Sequence, residues 1–265
     1  MDFTFDEKKH VYKLDGKPMT GVTSVIGVLA KPALIGWAAK MATEYIWEHG
    51  ETIKVTAENE DDFLKSFLVE RFANENYRFV TKEILEQAKS AHTKKKEAAG
   101  THGTDAHALV EKYIGEMLEK NGGHAHLSVS SIDMEPIQKF VEWAVENVDK
   151  FIFSERRMFN KELFVAGTAD FAYIGKDGKR YMADFKTSSG IYGIDYWLQV
   201  AAYRFLAESS GDEPYDGATI VRLGKDGKFE VQQVYEYETY KEAFMCCLTL
   251  YRAQASIKDL VVKTP

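Results

Sequence analysis

The sequence predicts an α/β fold, a mixed sheet flanked by helices, on three observations. Strand-type segments stand in succession at about 151–159, 163–174 and 180–187, and the turn Lys176-Asp177-Gly178-Lys179 joins the last two as a hairpin. A helical segment at about 194–209 separates that hairpin from a further strand, Ala218 to Leu223, which is the order of an α/β sandwich. An amphipathic segment at about 133–149 precedes the strands, with Ile137, Phe140, Val141, Ala144, Val145 and Val148 as its apolar stripe.

Taken in order, residues 2–19 read as a β-hairpin. Phe3, Phe5, Val11, Tyr12 and Leu14 supply strand-type residues, Asp6-Glu7-Lys8-Lys9 the turn, and Asp15-Gly16 a second turn. An apolar segment from Val25 to Leu29 follows. Pro32 then opens a helix to about Glu48, with Leu34, Ile35, Trp37, Ala38, Met41 and Tyr45 on the side expected to be buried. Residues 50–100 are highly charged and helical in pattern: Phe63, Phe67 and Leu68 fall at helical spacing, as do Ile84, Leu85 and Ala88. Gly100 and Gly103 break the pattern, and Thr104 or Asp105 is placed to cap a helix that runs to about Lys120, where Asn121-Gly122-Gly123 ends it. After the strand at 218–223, the turn Lys225-Asp226-Gly227 leads to a strand at 229–236 and a closing helix at about 238–256. The division expected is an N-terminal hairpin and helical subdomain over 1–100, packed on a core over 101–265.

Composition narrows the class. With 265 residues and 45% hydrophobic content the chain suits one elaborated domain or a core with a subdomain. No apolar run is long enough to span a bilayer, and the N-terminus lacks a basic-then-apolar leader, so a cytoplasmic protein with no membrane partner is expected. The two cysteines, Cys246 and Cys247, are adjacent and read as core residues that complete no zinc or iron–sulfur site. A net charge of −7 counts against a protein that coats nucleic acid nonspecifically, yet leaves room for an acidic metal site.

The chemistry concentrates between Gly167 and Tyr203. In a strand, Asp184 and Lys186 share a face while Phe185 points to the other. In a helix, Gln199 and Tyr203 are four apart and share a face. Asp170 lies on the opposite hairpin arm, within roughly 5 Å of its partner strand. Facing carboxylates repel unless a cation neutralises them, so a divalent ion bound through oxygen is a physical expectation. Such an ion activates a water and steadies charge growing on a phosphate. His107 offers a third ligand, with Glu111 one helical turn on as a group that holds a ligand in place, a metal group or a surface charge. Glu155, beside Arg156 and Arg157, reads either as a site acid with a phosphate-binding arginine or as an edge-strand salt-bridge cluster. Lys94, Lys95 and Lys96 read either as a solvated helix face or as a phosphate-tracking surface. Tyr192 and Trp197 are aromatics able to stack on a base, or to pack in a core.

These residues resemble a known family. Gly167-Thr168-Ala169-Asp170, Asp184-Phe185-Lys186-Thr187 and the Gln199–Tyr203 pair resemble the PD-(D/E)xK nuclease superfamily in its RecB-like branch. His107 in Gly103-Thr104-Asp105-Ala106-His107 resembles that branch's histidine motif. Gly21-Val22-Thr23-Ser24-Val25 and Lys31-Pro32-Ala33-Leu34-Ile35-Gly36-Trp37-Ala38 look like its phage-type exonucleases. The resemblance implies a restriction-endonuclease-like core with an N-terminal hairpin and helical extension. It implies a DNA exonuclease using Mg²⁺ or Mn²⁺, with His107, Asp170 and Asp184 as metal ligands, Lys186 as catalytic lysine, and Gln199 and Tyr203 as its companions. The implied setting is phage or bacterial recombination or DNA-end processing, with a phage or host recombination protein as partner. The second acid is Asp184 where Glu is commoner, and the cysteines that bind an iron–sulfur cluster in some relatives are absent. A structure-specific endonuclease, and an inactive DNA-end binding module, are the rival readings.

Overall fold

The structure is a computed structural model and describes residues 1–54, 76–126 and 135–260. In chain order it contains β1 (Phe3–Asp6), β2 (Val11–Leu14), β3 (Lys17–Pro18), β4 (Thr20–Gly21), α1 (Val22–Ile26), α2 (Pro32–His49), β5 (Glu51–Lys54) and β6 (Asn76–Phe79). Then come α3 (Lys82–Lys120), α4 (Glu135–Asn147), β7 (Val148–Asn160), β8 (Val165–Gly175), β9 (Arg180–Lys186), α5 (Ile194–Ser209), β10 (Gly217–Leu223), β11 (Phe229–Val234) and α6 (Glu238–Leu260). Two compact units result: Met1–Ala30 with His102–Pro265, and Lys31–Thr101.

The larger unit is built on a six-stranded mixed sheet in the order β11–β10–β9–β8–β4, with β7 also paired to β8. Neighbouring strands β7, β8 and β9 run antiparallel, as two hairpins require. β9 and β10 run parallel because α5 carries the chain back between them. Alternation along β9 explains the layering. Tyr181, Ala183 and Phe185 join a core with α3 and α4 that includes Val110, Ile114 and Phe140. Met182 joins the opposite core, with α1, α5 and α6, that includes Val25, Leu206 and Phe244. Helices thus cover both faces, and Asp184 and Lys186, in step with Met182, point toward α5.

Two corrections to the sequence reading concern boundaries. The N-terminal hairpin belongs with the larger unit, not with residues 31–100. The cause is β4, which pairs in parallel with β8 at Thr20↔Val165 and Gly21↔Ala166 and draws the preceding hairpin onto Phe159 and Phe164. Gly100 and Gly103 do not break the helix either: α3 runs through both. Each glycine costs about 1 kcal/mol in a helix interior. The helix formers at 82–99 on one side and the buried Ala106, Val110, Tyr113, Ile114 and Met117 on the other outweigh that.

The smaller unit holds α2, the antiparallel pair β5–β6, and the first part of α3. The pair replaces part of the helix expected over 50–100; Thr52, Ile53, Tyr77 and Phe79 are residues of high strand propensity. The helical spacing of Phe63, Phe67 and Leu68 falls outside the described residues. On α2, Met41 is buried as expected, whereas Leu34 and Ile35 are exposed. Lys94 and Lys95 are exposed on α3, and Lys89 pairs with Glu86 there. In α4 the helix stops at Asn147, so Val148 opens β7 instead of extending the helical stripe. Cys247 is buried on α6 but Cys246 is exposed, which corrects the reading of both as core. No helix among the described residues is long and apolar enough to cross a membrane.

Candidate functional site

The site lies where β8 changes neighbours. β4 pairs with β8 at Val165 and Ala166, and β9 pairs with it from Phe171 onward. Gly167–Asp170 fall between these pairings. Past Ala183, β9 keeps its register with β10 through Lys186 and parts from β8. The divergence frees the Phe185 backbone N–H, which donates to Asp170 Oδ2 at 2.6 Å. It also leaves a notch into which Asp170, Asp184 and Lys186 project.

One layer of the notch is a hydrogen-bonded chain. The Lys186 ammonium is ion-paired with Asp184 Oδ2 and donates to Gln199 Oε1 at 3.0 Å. Gln199 Nε2 donates to Asp184 Oδ1 at 3.0 Å and to the Tyr203 hydroxyl at 2.9 Å. The i, i+4 spacing of Gln199 and Tyr203 on α5 places both against β9, as the sequence predicts. Asp184 is buried and Lys186 nearly so. Burial works to lower the lysine's pKa, but the carboxylates of Asp184 and Asp170 outweigh it and hold the ammonium above its ordinary value. Burial, reinforced by the same two carboxylates, pushes the Tyr203 hydroxyl well up.

The second layer is a set of metal-type ligands. His107 on α3, Glu155 on β7 and Asp170 on β8 each offer a ligand atom, all within 4.8 Å of one another. His107 Nδ1 lies 4.0 Å from Asp170 Oδ2, and its ring meets the edge of Phe185 at 5.8 Å. Burial lowers the His107 pKa, so the imidazole is neutral and able to ligate at neutral pH. Burial, then the charges of Asp184 and Glu155, raise Asp170 well above the usual carboxylate range against the pull of Lys186. Glu155 retains an exposed surface, yet burial of its carboxyl and the charges of Glu111 and Asp184 push it up to about 7. Burial first, and then mutual repulsion, holds these carboxyls above their ordinary values, and one imidazole with two carboxylates is a donor set able to hold Mn²⁺ or Mg²⁺.

Asp184, which the resemblance implies as a metal ligand, lies outside this cluster and is engaged by Lys186 and Gln199; Glu155 is the second carboxylate within it. The backbone at Glu155 is strained. Its φ of +47° lies in the left-handed region, which costs a residue other than glycine on the order of 1–3 kcal/mol. The sequence held a signal for this residue. The β7–β8 register pairs Arg156 with Ala169 and Ser154 with Phe171, so counting back from the hairpin turn sets Glu155 opposite Asp170.

The remaining candidates separate. Glu111 lines the same cavity as the triad without joining it. Arg156 turns away to pair with Asp212 and stack over Phe153 at 4.1 Å, a structural role. Arg157 turns into the cavity. Trp197 packs into the α5–α6 core, 6.4 Å from Tyr240, while Tyr192 is exposed. The cavity, of about 730 Å³, is walled on its other side by the N-terminal hairpin through Phe5, Glu7, His10 and Tyr12. The hairpin is fastened to the floor by the Tyr12 hydroxyl and Thr168 Oγ1, 2.8 Å apart. Lys94, Lys95 and Lys96 belong to the other compact unit.

No family model matches the chain, and no curated protein matches its sequence. Among solved structures, the crystal structure of SSO0001 is similar over 87% of this chain and 88% of that one, at 12% identity and a TM-score of 0.34. A likeness at that level bears on neither the site nor its chemistry.

Proposed function

We propose that the protein is a metal-dependent deoxyribonuclease of the PD-(D/E)xK type, with a restriction-endonuclease-like core, acting as a DNA exonuclease in recombination or end processing. One observation carries the reading: His107, Glu155 and Asp170 converge in a cleft that Gln199 and Tyr203 also line, and Gln199 bonds to the buried Asp184 and to Lys186.

The three ligands would hold Mg²⁺ or Mn²⁺. When bound, such an ion supplies an activated water and neutralises charge on the phosphate. The protein's own groups do the rest. Lys186, its pKa raised, stays an ammonium and serves as a donor and positive charge beside the phosphate, not as a base. Gln199 fixes both Asp184 and Lys186 through the two ends of one carboxamide. Tyr203 stays neutral and anchors the far end of that amide. His107 remains unprotonated at neutral pH, leaving a ring nitrogen free for ligation.

The test is digestion of end-labelled linear DNA beside circular single-stranded DNA, with Mg²⁺, with Mn²⁺ and with chelator, for wild type and Asp170→Asn. Expected is loss of linear substrate only with metal, an intact circle, and an inactive variant. A cut circle would make the enzyme an endonuclease. No cleavage of either substrate by the wild type would overturn the enzymatic reading.

A further inference from the structure

The cavity beside the triad poses an electrostatic problem. Glu7, Glu111, Glu155 and Asp170 all line it, and Arg157 is the single lysine or arginine among its described lining residues. A polyanionic strand entering this space meets carboxylates first, and one metal site does not offset all of them.

Arg157 is built to receive an anion. It lies two residues from Glu155 on β7, about 7 Å along the strand, so it stands near the triad without sharing its ligands. Its guanidinium rests 4.7 Å over the Phe5 ring, which fixes the plane of the fork before any ligand arrives. Phe5 is in turn packed on Tyr12 at 4.6 Å, and Tyr12 is tied to Thr168. The guanidinium already holds an oxyanion: its Nη2 donates to Glu7 Oε1 at 3.1 Å. Glu7 sits in the turn after β1 and its side chain is 78% exposed, while that of Arg157 is 46% exposed. A pair this exposed is weak, worth about 0–1 kcal/mol, whereas a fork-to-phosphate contact is a strong charge-assisted one.

We infer that Arg157, set on the Phe5 platform of the N-terminal hairpin, is a single-phosphate subsite next to the metal centre, and that the Glu7 carboxylate occupies it in the free protein until a nucleic-acid phosphate displaces it. The inference rests on the nuclease reading above and deepens it. Glu7 then acts as a built-in competitor: it screens Arg157 from stray anions and makes the arginine available only to a ligand that also engages the metal centre.

The experiment is fluorescence anisotropy of a labelled single-stranded oligonucleotide titrated with protein in Ca²⁺ over a range of salt. The proteins are wild type, Arg157→Ala, Arg157→Lys, Glu7→Gln and the Glu7→Gln/Arg157→Ala double variant. Arg157→Ala is expected to weaken binding about tenfold to a hundredfold and to lower the slope of log K against log salt by about 0.7. Arg157→Lys, which keeps the charge but loses the fork, should keep the slope and lose part of the affinity. Glu7→Gln should tighten binding about two- to fivefold, and only while Arg157 is present. An unchanged affinity and slope in Arg157→Ala, or equal tightening by Glu7→Gln in both backgrounds, would overturn the subsite while leaving the nuclease reading intact. A wild type that neither binds the oligonucleotide nor cleaves DNA would overturn both.

Discussion

Removing the Lys186 ammonium tests the floor of the site by stability alone, without recourse to activity. In Lys186→Met most of the side-chain length is kept, while the charge and the hydrogen bond to Gln199 are lost. Asp184, 1% exposed, then remains as a buried carboxylate without its counter-ion. Breaking a buried pair from one side costs about 3–5 kcal/mol. Gln199 still donates to Asp184 Oδ1, so the lower end of that range, about 3 kcal/mol, is the expectation. At about 2–4 °C per kcal/mol for a chain of this size, the melting temperature should fall by about 6–12 °C in metal-free buffer. The variant should still fold, because domains hold about 5–15 kcal/mol in reserve. Adding Asp184→Asn removes the stranded charge and should restore part of the loss. Urea denaturation followed by circular dichroism on the four proteins of the cycle gives the coupling directly. A loss under about 1 kcal/mol in Lys186→Met, with no recovery in the double variant, would refute the buried ion pair and the argument built on it.

Two further outcomes follow from the geometry. A Cβ at Gly167 would stand 2.6 Å from Tyr203 Cε1 and 3.2 Å from Val22 Cγ2, so Gly167→Ala should cost about 1–3 kcal/mol and displace the ring that anchors Gln199; wild-type melting and cleavage together would show that Tyr203 yields freely. The Glu155 carboxyl, pushed up to about 7 by burial and by Glu111 and Asp184, stays protonated in the folded chain where the unfolded chain, at about 4.5, has ionised. Its stabilising contribution is full below the unfolded value and fades as pH rises through about 7. Metal-free wild type should therefore lose melting temperature across that window more steeply than Glu155→Gln, and saturating Mn²⁺ should reverse the trend because ligation takes ionised carboxylates. Parallel pH profiles for the two proteins would refute this assignment.

Much of the site was legible because its parts are local. The alternation in Asp184-Phe185-Lys186, the one-turn spacing of Gln199 and Tyr203, and the Asp-Gly turns each depend on a few consecutive residues. The turn at Asp15-Gly16 is an example, with both residues at positive φ, +48° and +78°. What escaped was set by distant partners. Where Asp184 and Lys186 come to lie depends on β9 leaving β8 to follow β10, a pairing with residues 217–222. Whether the N-terminal hairpin stays with the core depends on two residues of β4 finding β8. The run of α3 through Gly100 and Gly103 depends on packing further along the same helix, which local propensity does not contain.

The left-handed backbone at Glu155 sets stamina against chemistry at a single codon. Glycine is at ease in that conformation, so Glu155→Gly would relieve the chain and discard a candidate ligand in one step. A laboratory population selected only to survive heat would be drawn toward that exchange, and one required to keep the triad whole would have to find its resilience elsewhere in the molecule.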